Sequence, residues 1–373
     1  MMTFRERFFA TLLFGGPDRV LLQPGGPRES TRRAWATQGL PLDADYLAVL
    51  YDTIGLPRDT GGYGGVPVSF AMLPTFEERV LTHADGHYVV QDWMGAIVEI
   101  SDAFDYTYLR VPRDFVTRKW HKFPVETRAD WEAMRARYDV DTPGRFGDDF
   151  HASCAALRGT DTVLSVQVNG PFWQLREWCG FEGLCALFLD DPDFVREMVA
   201  VWTEFVGVLL TRISAELPID RLGISEDMAY KAHAMISPAM TRDFLLPTYT
   251  RWVEIVKGGG GQVIDLDSDG CVDELIPVWI DAGINVCSPM EVAAHTDLPA
   301  LRQRFGRQMG YVGGVDKRAI ATGGAVLDAE LARLAPVIAD GGYLPGCDHG
   351  IPPDISWPNY VDYARKLARL CGW

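Results

Sequence analysis

Carboxylates, a thiol and imidazoles recur through the second half of the chain, each time at the end of a short β-like run. Glu226 and Asp227 follow RLGIS, Asp265, Asp267 and Asp269 fall within VIDLDSDG, and Glu291 closes SPME. Asp316 lies in GGVDK, and Cys347, Asp348 and His349 are consecutive in LPGCDHG. Adjacent carboxylates at an apolar strand end are costly unless they meet a cation, a metal or a cavity. Held over a cavity, such groups act as general acids and bases, and an imidazole titrates near neutrality. Asp227, Asp267 and His349 are therefore the expected catalytic groups, with Glu226 as the neighbour that orients Asp227. Asp269, Glu291, Asp316 and Asp348 are expected around the substrate, and Trp173, after the Asn169-Gly170-Pro171 turn, as an apolar wall.

Each of these residues has a structural reading beside the chemical one. Lys231 or Arg242 would neutralise the Glu226–Asp227 pair, and Asp267 to Gly270 would form an Asx turn capping a helix over CVDELIPVWI. Glu291 would face a helix N-terminus, Asp316 would pair with Lys317 or Arg318 on the surface, and His349 would lock a loop. Asp265 would be a paired carboxylate inside the fold. It lies two residues from Asp267, so a strand that continues to 267 turns both side chains to one face.

The elements that would position these groups follow from periodicity. Strand-like runs are VLSVQV (163–168), RLGIS (221–225), QVIDL (262–266), INVCS (284–288), MGYVG (309–313) and GYLPG (342–346). Amphipathic helical patterns separate them, and strands alternating with helices of this length mean parallel βα units. The expected fold is a single TIM (β/α)8 barrel spanning 1–373, because catalytic groups in that fold sit at the carboxyl ends of the strands. A doubly wound sheet is the rival, but the glycine-rich phosphate turn near its start is missing, and Gly258 to Gly261 reads as a helix stop. Residues 3–14 read as a helix and PDRVLLQP as entry to a first strand. The irregular stretch 25–160 reads as insertions and a lid over the barrel mouth. It contains a hairpin around Asp85-Gly86 and Met94-Gly95, and a helix capped by Thr127.

Composition narrows the partners. With 35 basic against 51 acidic residues, the formal charge of −16 repels nucleic acid and anionic membrane surfaces. Seven cysteines without a CxxC pair fit reduced thiols and a cytoplasmic location. The amino-terminal stretch has neither the apolar core nor the cleavage site of a signal peptide, and no apolar run is expected to approach the ~20 residues of a spanning helix.

Several segments together resemble the uroporphyrinogen decarboxylase superfamily: MTFRERFFATLLFGGPDRV, NGPFWQLREWCGFEGL (169–184), GISEDMAY (223–230), DSDG (267–270), AGINVCSPME (282–291), GGVDK (313–317) and GGYLPGCDHGIPPD (341–354). The resemblance implies a TIM barrel with one of two chemistries. Tetrapyrrole decarboxylases of that superfamily carry an arginine-rich amino-terminal segment. Here PGGPRESTRRAWATQGLP keeps Arg28, Arg32 and Arg33 without the pattern. The resemblance therefore points to the cobalamin-dependent methyltransferase branch, with a methyl group passing between a corrinoid or methylated small molecule and a thiol or folate. The corrinoid is expected on a partner protein, since the chain has no DxHxxG motif. Thiol-specific members hold zinc through a His-x-Cys pair and a late Cys. At the matching places stand Asp265, Asp267 and Cys347, a harder donor set that makes zinc a candidate cofactor. The alternative is a decarboxylase or lyase acting on a small carboxylated substrate.

Overall fold

The computed structural model describes residues 1–110, 114 and 116–373. Eleven strands are present among them: β1 Gly62–Gly64, β2 Arg79–Ala84, β3 His87–Gln91, β4 Ile97–Ser101, β5 Arg118–Lys122, β6 Thr162–Asn169, β7 Arg221–Ser225, β8 Val263–Asp267, β9 Val286–Ser288, β10 Gly310–Val315 and β11 Tyr343–Cys347. All six strands expected beyond residue 161 are there. With β1 they form a parallel sheet in the order β1-β6-β7-β8-β9-β10-β11.

The register of this sheet layers the side chains. Asn169 lies opposite Ser225, Ser225 opposite Asp267 and Asp267 opposite Ser288, so one layer at the carboxyl ends is polar throughout. Alternation sends Leu222, Ile224, Ile264 and Leu266 to the main core under the helices. At the other end of the strands, Val163, Val263, Val286 and Leu344 pack on Phe4, Phe8 and Leu12 of the helix Phe4–Leu12. That helix, started by a capping box at Thr3, plugs the amino-terminal end of the sheet. Burying the Phe8 side chain, 1 % exposed, contributes about 1.5–3 kcal/mol.

The expected eighth strand is not formed as a strand. Residues 20–27 run extended beside β11, with Cys347 N donating to Pro24 O at 3.2 Å and an isolated parallel bridge between Pro27 and Ile351. No backbone hydrogen bond joins this segment to β1 among the described residues. Instead Gln23 Nε2 donates to Tyr63 Oη at 2.7 Å across the seam.

The 25–160 region, which includes the four residues outside the description, holds an antiparallel sheet in the order β2-β3-β4-β5 over a small core of Val90, Val98, Ile100 and Leu109. It is fastened where Tyr108 Oη donates to Glu29 and Ser30 N donates to Asp114 Oδ2, and where Val125 N donates to Trp178 O. Thr127 caps its helix as expected. The helix Pro192–Glu216 does reach the length and apolarity of a membrane span, against expectation. Its apolar side chains include Trp202, Phe205, Val206, Leu209 and Ile213, which are buried in the main core.

Candidate functional site

Polar side chains collect at the carboxyl ends of the parallel strands, and Asp267 lies among them. Strand β8 turns Val263, Asp265 and Asp267 inward in succession, which puts Asp267 at the top of the interior. Its carboxyl accepts no hydrogen bond from the described residues. Burial, with Asp265 and Asp269 adding negative charge nearby, raises its pKa to about 7. A carboxyl poised near neutrality among other polar groups is suited to proton transfer.

Asp265 behaves differently, although it is two residues away. It is 2 % exposed and accepts from Arg221 Nε at 3.1 Å and from Ser288 Oγ at 2.9 Å. Arg221 also donates to Ser165 Oγ at 3.0 Å, so one ion pair ties β6, β7, β8 and β9 together across the interior. Asp265 is therefore the paired interior carboxylate, not a metal ligand.

Glu226 is corrected in the same way. It is fully buried, accepts Trp173 N at 2.9 Å and receives the hydroxyl of Tyr249. The carboxyl caps the amino terminus of the helix Pro171–Cys179 from another loop, and Gly170 leaves the room, since a Cβ there would lie 2.1 Å from the Glu226 carboxyl carbon. Burial raises its pKa to about 7. It locks the β6 and β7 loops together instead of orienting Asp227. Asp227 sits at φ 41° and pairs with Arg176, whose Nη2 donates to Oδ2 at 2.7 Å. Neither Lys231 nor Arg242 plays that part, and Arg242 binds Asp281. The guanidinium of Arg176 also lies 4.5 Å from the Trp173 ring, so Trp173, Arg176 and Asp227 form one wall of the mouth.

Opposite strand ends supply further pairs. Glu291 accepts Lys317 Nζ at 2.9 Å and Gly270 N at 3.3 Å. His349 Nε2 lies 3.3 Å from Asp269 Oδ2, and that carboxylate raises the imidazole pKa. Gly350 N donates to His349 Nδ1 at 2.8 Å, and Arg28 Nη2 is 2.9 Å from the same atom. Two donors on Nδ1 fix the neutral tautomer with its proton on Nε2, aimed at Asp269. The loop from Ser268 to Leu275 is not helical, and the helix starts only at Ile276, so Asp269 is free of the capping role.

Three expected substrate or metal residues turn inward on the protein itself. Asp316 accepts from Arg318 N and from its guanidinium at 2.8–3.1 Å, which lowers its pKa, so it serves as helix cap and partner of Arg318. Asp348 is fully buried and accepts Val292 N at 3.0 Å and Lys317 N at 3.2 Å, bracing the loops after β9 and β10. Burial pushes the Cys347 thiol up to about 12, so it is protonated at neutral pH. Among the described residues no three His, Cys, Asp or Glu side chains are grouped to hold a metal ion. The expected set of Asp265, Asp267 and Cys347 does not fit zinc, because Asp265 is spent on Arg221 and Ser288.

Sequence reasoning missed Arg176, Arg221 and Tyr249. Arg221 had a signal: it occupies the inward phase of RLGIS, with Gly223 and Ser225. Tyr249 and Arg176 lie mid-helix, where nothing distinguishes a mouth residue from a surface one.

No family model matches the chain, and no curated protein matches its sequence. Among solved structures, a "methyltransferase from Methanosarcina mazei" is similar with a TM-score of 0.56 at 14 % identity, over 98 % of this chain and 99 % of that one. A B12-independent methionine synthase from Shewanella sp. W3-18-1, in complex with selenomethionine, gives a TM-score of 0.38 at 14 % identity over 60 % of this chain and 68 % of that one. The first likeness, which runs end to end, establishes a shared fold.

Proposed function

We propose that the chain is a methyltransferase that takes a methyl group from a heteroatom of a small molecule, with Asp267 as the general acid. The observation that carries this reading is the unpartnered Asp267 carboxyl, its pKa raised to about 7 in the top layer of the barrel interior. The end-to-end fold likeness to a methyltransferase and the superfamily resemblance of the sequence support it.

The methyl leaves as a cation equivalent, its bonding pair staying on the donor heteroatom. Protonation of that heteroatom by neutral Asp267 makes it a better leaving group, and the methyl carbon bonds to the lone pair of an acceptor nucleophile. Asp267 is left as the carboxylate, and Arg221 beneath it offsets the new charge. Trp173 and the Arg176–Asp227 pair wall the mouth on one side, and the Glu291–Lys317 pair does so on another. The His349–Asp269 pair at the rim can relay the proton that resets Asp267. The acceptor enters at the mouth. We place it on a partner protein, a corrinoid being the expected group, and no residue of this chain is required to ligate it.

The decarboxylase alternative is less well supported by the cations at hand. A carboxylated substrate is held best by an uncommitted cation, and of the cations carried by the strands and the helices that follow them, Arg176 is paired with Asp227, Lys317 with Glu291 and Arg221 with Asp265. Arg32 donates to the carbonyls of Leu42 and Ala44, and Arg33 to Glu29. The test is a label-transfer screen: donors bearing a trideuterated methyl group, a reduced corrinoid, thiol or folate acceptor, and mass spectrometry of both products. Transfer by the wild type and a loss of about 10²–10⁴ in rate for Asp267→Asn supports the reading. Carbon dioxide release from a carboxylated substrate, with no label moved, overturns it.

A further inference from the structure

The gap between the segment 20–27 and β1 opens into a cavity of about 450 Å³ on the flank of the barrel. It is lined by Phe4, Leu21, Tyr46, Tyr51, Leu344 and the face of Tyr63, among others. The charged groups at its rim are matched, Arg58 to Asp45 at 2.7 Å and Asp59 to Arg7 and Arg19 at 2.8 and 2.9 Å. The wall thus offers aromatic and aliphatic surface and no uncompensated charge, and its volume holds one substituted ring.

Behind it lies a second space of about 240 Å³ inside the barrel, lined by Ser165, Arg221, Asp265 and the plug residues Phe8 and Leu12. The two spaces share Gln23, Tyr63, Val312 and Leu344. At their junction the Gln23–Tyr63 hydrogen bond links the two sides of the seam. Tyr63 is 46 % exposed, while its hydroxyl lies close enough to Arg221 and Asp265 to feel their charges. One side of Tyr63 therefore faces the flank cavity, and its polar tip faces the layer directly below Asp267.

We propose that the seam cavity binds a neutral one-ring aromatic methyl ether and that the Gln23–Tyr63 hydrogen bond is the gate through which its oxygen-bearing end reaches the barrel interior. The neutral aromatic class rests on the cavity wall alone; the methyl ether rests on the methyl-transfer reading. Ring burial against Phe4, Tyr46 and Tyr51 supplies binding, and the Tyr63 hydroxyl, which accepts from Gln23 Nε2, has its own proton to donate to the ligand oxygen.

The test is calorimetric titration of the full chain with methoxyphenol, and with benzoate and tetramethylammonium as charged comparisons. Two substitutions fill the cavity. Gly62→Leu adds a side chain where a Cβ meets nothing within 4 Å, and Leu47→Trp enlarges a half-buried residue on the wall. The expected result is saturable binding of methoxyphenol only, weakened at least tenfold by either substitution at an unchanged melting temperature. No saturable binding, preference for a charged probe, or affinity indifferent to both fillings overturns the proposal. Label transfer that proceeds from some other donor with both filled variants unimpaired sinks this inference and leaves methyl transfer standing. Seam binding without any label transfer does the reverse.

Discussion

Asp267→Asn is expected to make the protein more stable and less active at once. The substitution keeps the shape of the side chain and removes its charge. In the unfolded chain Asp267 ionises near its ordinary value, whereas in the fold it does so only at about 7. Between those values the native state binds the proton and the unfolded state does not, so stability falls as pH rises through the window and stays low above it. The displacement from 3.8 to about 7 corresponds to about 4 kcal/mol. Asparagine pays none of this, so the variant gains up to about 4 kcal/mol over wild type at pH 8 and almost nothing at pH 4. Glu226, also raised to about 7, contributes the same slope to both proteins and cancels in the difference. Urea unfolding of both proteins at several pH values reads the effect directly. A variant that is less stable at pH 8, or a difference that does not change with pH, refutes the reasoning that Asp267 is a buried, unpartnered acid.

Removing the Glu226 carboxyl orphans the Trp173 amide and the Tyr249 hydroxyl, so Glu226→Ala is expected to cost about 2–4 kcal/mol in denaturant unfolding, with Glu226→Gln costing less. Asp265→Ala leaves Arg221 in the barrel without its carboxylate and is expected to cost about 3–5 kcal/mol, whereas a metal-ligand role would instead show as lost metal at unchanged stability. Cys347 is expected to resist iodoacetamide in the folded protein at pH 8 and to react on unfolding, as peptide mass spectrometry reports; rapid modification of the native protein would contradict its burial and high pKa. Asp316→Ala removes a helix cap and a surface pair and is expected to cost about 1 kcal/mol with turnover unchanged, and a lost rate would restore it to the site.

The strand ends were legible because alternation and apolar runs are local properties. Every strand beyond residue 161 appears, and the stop at Gly258 is where one helix ends. The missing eighth strand was not legible: PDRVLLQP has the composition of a strand, but pairing on only one side is a tertiary fact. At the mouth, residue type marked the right loops and could not say which carboxylate stays unpaired. Asp265 and Asp267 have the same periodicity and the same neighbours in sequence, yet Arg221 reaches one and not the other. Asp316 and Glu291 were separated in the same manner, since Lys317 turns to Glu291 while Arg318 takes Asp316. Cys347, Asp348 and His349 diverge because a strand end presents successive residues in different directions, and only His349 reaches the mouth.

The most direct measurement is the pH dependence of methyl transfer from a labelled donor at saturating acceptor. If neutral Asp267 donates the proton, the wild-type rate is level below pH 7 and falls tenfold per unit above it, while the residual rate of Asp267→Asn is independent of pH across the same range. The same inflection near pH 7 in both proteins would contradict the central claim that this carboxyl is the acid.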